Sequence, residues 1–169
     1  MYRSVQVFGM VGLLALSSQV GAQEWQLHPA EAGRGVALTF DTGHPPSYRF
    51  ECAANEVIVT ETGVTKLMDV RARKAVGDDS GAVMSPGADM MAVYSGNGDP
   101  QFVPAEAVQN PAGGWDLTIR LSKDDKQLKA MAKSDMMSLF TTGETIAVTM
   151  DASAHAHWND FMQRCKAGS

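Results

Sequence analysis

The chain has 169 residues, a formal net charge of −5 and a hydrophobic fraction of 44%. That composition fits a packed globule, and the acidic balance points away from nucleic acid and anionic lipid headgroups as partners. The sequence contains only two cysteines, and it shows neither an internal repeat nor a low-complexity tract.

Arg3, the apolar run over residues 5–16 and the small-residue ending Val20-Gly21-Ala22 have the layout of a cleaved export signal. The run is shorter than the roughly 20 residues that cross a bilayer, so it reads as a leader, with cleavage predicted after Ala22. The remainder, 23–169, reads as a single globular domain without a later membrane segment. No cysteine follows the cleavage region, which argues against a lipid anchor.

The domain opens with Trp25 and Leu27, which read as an entry segment with a short strand. Val36, Leu38 and Phe40 then alternate with polar or small neighbours, the period of a half-buried strand. A turn at 43–47 leads to a second strand in which Tyr48, Phe50 and Cys52 share one face. Ala53-Ala54-Asn55 is a tight connection to a third strand, EVIVTE, its hairpin partner. Thr62-Gly63 is read as a break, with a fourth strand over 64–72. Residues 76–88 are loop by composition. Asp89 to Tyr94 reads as a strand, and 101–114, with two prolines and Gly113-Gly114, as a connection. WDLTIRLS, from Trp115, gives the cleanest alternation in the chain.

The period changes at Ser122. Ser122-Lys-Asp-Asp125 resembles a capping box, and Leu128, Met131, Ala132, Met136, Leu139 and Phe140 recur at helical spacing, which predicts a helix to about residue 140 with a break near Ser134-Asp135. ETIAVTMD is the last strand. Asp151 or Ser153 caps a closing helix whose apolar stripe is Trp158, Phe161, Met162 and Cys165, at i, i+3, i+4 and i+7. The expected fold is α+β: an antiparallel sheet of about six to seven strands, two helices in the C-terminal half and one disulfide. A small β-barrel with appended helices is the alternative.

The two cysteines of an exported chain are expected to pair. Cys52 lies on the buried phase of a strand and Cys165 on the buried stripe of the last helix, so a bridge between them pins that helix to the sheet. A redox or nucleophilic thiol fits less well, since C-x-x-C is absent and both residues sit in apolar-patterned segments.

The candidate chemistry is thin. Asp41-Thr42-Gly43 follows a strand as an aspartic-protease half-site does, but that mechanism needs a second carboxylate sharing a proton, and a strand-end turn explains the tripeptide. The loop 77–81, Gly-Asp-Asp-Ser-Gly, has the look of a nucleophile loop but does not fit G-x-S-x-G and lacks a His and Asp context. His155 and His157 have metal-ligating chemistry for zinc or copper, but lie two apart where helical metal pairs want four. The nine methionines beyond the expected leader offer thioethers for Cu(I), yet most fall at core-phase positions, where methionine fills gaps.

YRFECAANEVIVT, the closing WNDFMQRC after ETIAVTMD, and the leader together resemble small exported two-cysteine proteins of Gram-negative bacteria of the invasion-associated locus B-like kind. YRFECAANEVIVT also resembles the first hairpin of small periplasmic lysozyme inhibitors of the β-barrel kind, from which the C-terminal half departs. The resemblance implies a periplasmic or secreted, disulfide-bonded protein, and carries over no functional residue. The reading is a non-catalytic protein without cofactor that binds another envelope protein or a cell-wall component. The rivals are a small hydrolase using loop 77–81 or the histidines, and a metal-sequestering protein using His155, His157 and methionines.

Overall fold

A computed structural model describes residues 24–30, 35–41, 43, 47–65, 67–69, 74–76, 89–141 and 145–167. The expected leader, Thr42, His44 and the loop 77–81 lie outside the described residues.

The described residues form eleven strands: β1 (Glu24–Pro29), β2 (Val36–Asp41), β3 (Ser47–Ala53), β4 (Glu56–Val64), β5 (Leu67–Asp69), β6 (Lys74–Val76), β7 (Asp89–Tyr94), β8 (Val103–Gln109), β9 (Trp115–Ser122), β10 (Met136–Thr141) and β11 (Thr145–Thr149). A short helix α1 (Lys126–Ala130) runs into a 3-10 turn (Met131–Lys133), and α2 (Ala152–Ala167) closes the fold. Nine strands make one antiparallel sheet in the order β1-β2-β3-β4-β9-β8-β7-β10-β11, while β5 and β6 pair separately. The sheet curls into a half-barrel. The class is the expected α+β with late helices. The sheet has more strands than the six to seven expected, and its curl leans toward the barrel alternative.

β8 is the corner of the curl. Its first residues, Val103 to Ala105, pair with β7, and Glu106 to Gln109 pair with β9. A strand that changes partner along its length lets the two halves of a sheet turn toward each other. The change also explains a strand where a connection was expected. Pro104 cannot donate to a ladder, which confines it to positions with a neighbour on one side. It sits opposite Met90 in the part of β8 that pairs with β7 alone.

Two further expectations are corrected. β4 does not stop at Thr62-Gly63; it runs through to Val64 over a register shift opposite β9. Gly63 takes φ +81° there, and its N–H donates to the Asp116 carboxylate at 3.1 Å. Gly114, at φ +76°, lies beside it. A Cβ on Gly114 would stand 2.7 Å from the Val64 carbonyl oxygen, so only glycine allows that approach. The long helix expected from Ser122 to about 140 is the five residues of α1, a 3-10 turn and then β10. Asp125, rather than Ser122, caps α1 by accepting from the backbone N–H of Gln127 and Leu128. Met137, Ser138 and Leu139 are all buried, so β10 shows no strand alternation, and its apolar residues fall by coincidence at helical spacing.

The core is one contiguous cluster. Leu38, Phe40, Tyr48, Phe50, Val57, Val59, Leu117 and Ile119 line the inner face of the sheet and α2 fills it. Trp158 and Phe161 of α2 are fully buried. The Phe50 ring meets Trp158 edge-on at 5.2 Å and Phe161 at 6.4 Å, a geometry that adds to area burial. The Trp158 Nε1–H donates to the Leu128 carbonyl at 3.2 Å, tying α2 to α1. Asp151 caps α2 by accepting from the Ala154 N–H at 2.8 Å. The disulfide between Cys52 and Cys165 is formed, with Cα atoms 5.5 Å apart. It joins β3 to the last turn of α2, as expected.

Candidate functional site

Among the described residues, aromatic side chains of the sheet and α2 fill the inner face of the half-barrel. A surface cleft of about 640 Å³ lies between the segment 95–101 and the start of α1. Asn97, Asp99 and Gln101 form one wall, and Ser122, Asp124 and Lys126 the other.

The first wall is built by one buried side chain. Gln127 is 8% exposed, and its amide is spent on the segment that follows β7. Its Oε1 accepts from the Ser95 N–H at 2.9 Å and the Ser95 hydroxyl at 2.7 Å. Its Nε2 donates to the carbonyls of Asn97 at 3.1 Å and Asp99 at 3.4 Å. The Ser134 hydroxyl donates to the Ser95 carbonyl and lies 2.8 Å from the Met136 carbonyl. Ser95, Gln127 and Ser134 are thus a buried polar knot fixing the backbone of a turn that Gly96 and Gly98 make with positive φ. Polar groups in a low-dielectric setting that are fully bonded hold one geometry strongly.

The outward side chains of the cleft differ in how much they are already engaged. Asp125 is consumed by capping α1. Asp124 pairs with Lys129 at 2.6 Å, and the Lys129 ammonium holds its carboxyl below the ordinary value. Asp99, Gln101 and Lys126 are exposed and make no side-chain hydrogen bond or ion pair among the described residues. Asn97 makes a single long contact of 3.5 Å to the Ser95 carbonyl. The cleft therefore presents an amide pair, a carboxylate and an ammonium from a backbone held in place from beneath.

The residues singled out in the sequence are dispersed. His155 and His157 both lie within α2, two positions apart and on different faces. The His155 Nε2 stands 2.9 Å from the Ser134 carbonyl, which makes that ring a brace between α2 and the polar knot. His157 sits near Asp160, whose carboxyl is lowered chiefly by its hydrogen bond with Arg164. No group of three His, Cys, Asp or Glu side chains able to hold a metal occurs among the described residues. Asp41 accepts from the Gly43 N–H at 2.7 Å, the strand-end turn expected of that tripeptide. Cys52 and Cys165 flank a second groove of about 490 Å³ with Lys123 and Arg164.

The cleft itself was not read from the sequence. Gln127 is a polar residue at a helix start, and nothing local signals that it is buried. The one available hint was SGNGDP, a turn too rich in glycine to be a simple strand end. Comparison with family models, with curated proteins and with solved structures finds no match to this chain.

Proposed function

We propose that this is an exported, non-catalytic binding protein that takes a polar segment of an envelope protein or a cell-wall component into the cleft between residues 95–101 and α1. The observation that carries this reading is Gln127. A buried amide bonded to three successive polar positions of one turn preorganises that turn, and preorganisation lowers the entropy cost of binding. The side chains of the residues so held, Asn97 and Asp99, and of the neighbouring Gln101 are the ones left to bond a ligand. The disulfide supports the exported setting, because such bridges persist in oxidising compartments, and no described helix is long and apolar enough to cross a membrane.

The test uses direct binding. Purified protein is incubated with isolated peptidoglycan, with soluble muropeptides and with envelope extract, alongside the variant Asp99→Ala/Gln101→Ala. Retention by one of these that drops at least tenfold in the variant supports the reading. Equal retention by both proteins defeats it, as does turnover of a peptidase, esterase or glycosidase substrate that a single substitution abolishes.

A further inference from the structure

The two edges of the sheet are not alike. β1 carries Glu24, His28 and Pro29 and lies against α2, and charges, prolines and covering helices are the usual means by which an edge strand avoids pairing. Among the described residues, no helix makes a comparable contact with β11. Its sequence is Thr-Ile-Ala-Val-Thr, without charge, proline or bulge. Among the described residues no strand lies beyond it. Thr145, Ala147 and Thr149 are exposed, and Ile146 is half-buried at the rim of the core.

The strand is also its own complement. Turned end for end about Ala147, it reads Thr-Val-Ala-Ile-Thr. An antiparallel copy in that register sets Thr145 opposite Thr149, Ile146 opposite Val148, and Ala147 opposite itself. Thr–Thr pairs are among the favourable cross-strand pairs, and the apolar pair of Ile146 and Val148 falls on the face that continues the core. A patch that matches itself under a two-fold rotation is what an isologous interface requires. Met136 on β10, directly opposite Thr149 on the outer face, is 42% exposed and extends the apolar surface beside the edge.

We infer that β11 is the docking edge for a second copy of this chain, pairing antiparallel with itself about a two-fold axis through Ala147 and joining two half-barrel sheets into one. This goes beyond the cleft reading and does not depend on it.

Sedimentation equilibrium of the purified protein with its disulfide intact, from about 1 μM to about 1 mM, spans weak to moderate association. A monomer–dimer equilibrium is expected. The variant Ala147→Lys puts two ammonium groups opposite each other at the axis and is expected to weaken it at least tenfold, with an unchanged circular dichroism spectrum because position 147 is exposed. Under mild oxidation the variant Ala147→Cys is expected to form a covalent dimer by itself. Thr145→Cys is expected to cross-link only when mixed with Thr149→Cys. A protein that stays monomeric to about 1 mM overturns the inference, and so does a Thr145→Cys variant that cross-links alone as readily as Ala147→Cys.

Discussion

Opening the bridge between Cys52 and Cys165 should cost this fold about 5 kcal/mol, most of it through the unfolded chain. The two residues are 113 apart in sequence. In the chain-entropy account a loop of that length removes about 16 cal/mol/K from the denatured ensemble, or about 4.8 kcal/mol at 25 °C. Against a typical total of about 5–15 kcal/mol for a domain, that is a third or more of the stability. For a chain of this size each kcal/mol moves the melting temperature by about 2–4 °C, so the variant Cys52→Ala/Cys165→Ala should melt about 10–20 °C lower.

Thermal and urea unfolding followed by circular dichroism measures this, and the urea slope locates the effect. If the bridge acts on the unfolded state, releasing it lets the denatured chain expand, and the slope rises along with the fall in midpoint. Wild-type protein treated with a reductant should match the double variant, which separates the bridge from the packing of the two sulfurs. A melting shift under about 3 °C, or a lower midpoint at constant slope, would refute the reasoning. The first outcome means that residual structure already restricts the denatured chain without the bridge. The second means that the loss lies in native packing at Cys165, which is 1% exposed.

The variant Gln127→Ala strands the Ser95 donors and two carbonyls beneath the cleft. It should cost about 2–4 kcal/mol, since each buried polar group left unbonded costs about 1–3 kcal/mol and some recover water, and amide hydrogen exchange should accelerate over residues 95–101. Ala54 holds φ +42° in the turn between β3 and β4, where a side chain is strained by about 1–2 kcal/mol. Ala54→Gly relieves that strain against a smaller entropy loss, so urea denaturation should show a stabilisation of about 0.5–1 kcal/mol; a destabilised variant would mean that the strain is absent. Asp124 and Asp160 are depressed from 3.8 by hydrogen bonds from Lys129 and Arg164. A depressed carboxylate contributes stability above its unfolded value and loses it as pH falls through the folded one. Both pairs are exposed, so Arg164→Gln should lower stability only slightly at neutral pH, and the difference from wild type should vanish as pH falls below the folded value of Asp160.

What could be read in the sequence follows from how burial is distributed over each element. β9 has one face buried and one partly exposed, so WDLTIRLS alternates without ambiguity, and α2 buries one stripe, so Trp158, Phe161, Met162 and Cys165 stand at helical spacing. Where burial is two-sided the period vanishes, and Met137, Ser138 and Leu139 in β10 are consequently indistinguishable from a helix segment. Pro104 hid β8 because a proline argues against a central strand, and only the change of partner from β7 to β9 makes its position permissible. The same logic accounts for the cleft. Periodicity reports apolar faces, whereas the cleft rests on a buried amide whose partners, Ser95 and Asn97, lie about 30 residues away in sequence and belong to no repeating pattern. Edge strands fall between these cases. Thr145–Thr149 is a recognisable strand from its alternation, but that it ends the sheet depends on the whole strand order. Its self-complementary sequence acquires meaning only from that order, since the same five residues inside the sheet would be an ordinary β-branched strand with both sides already paired.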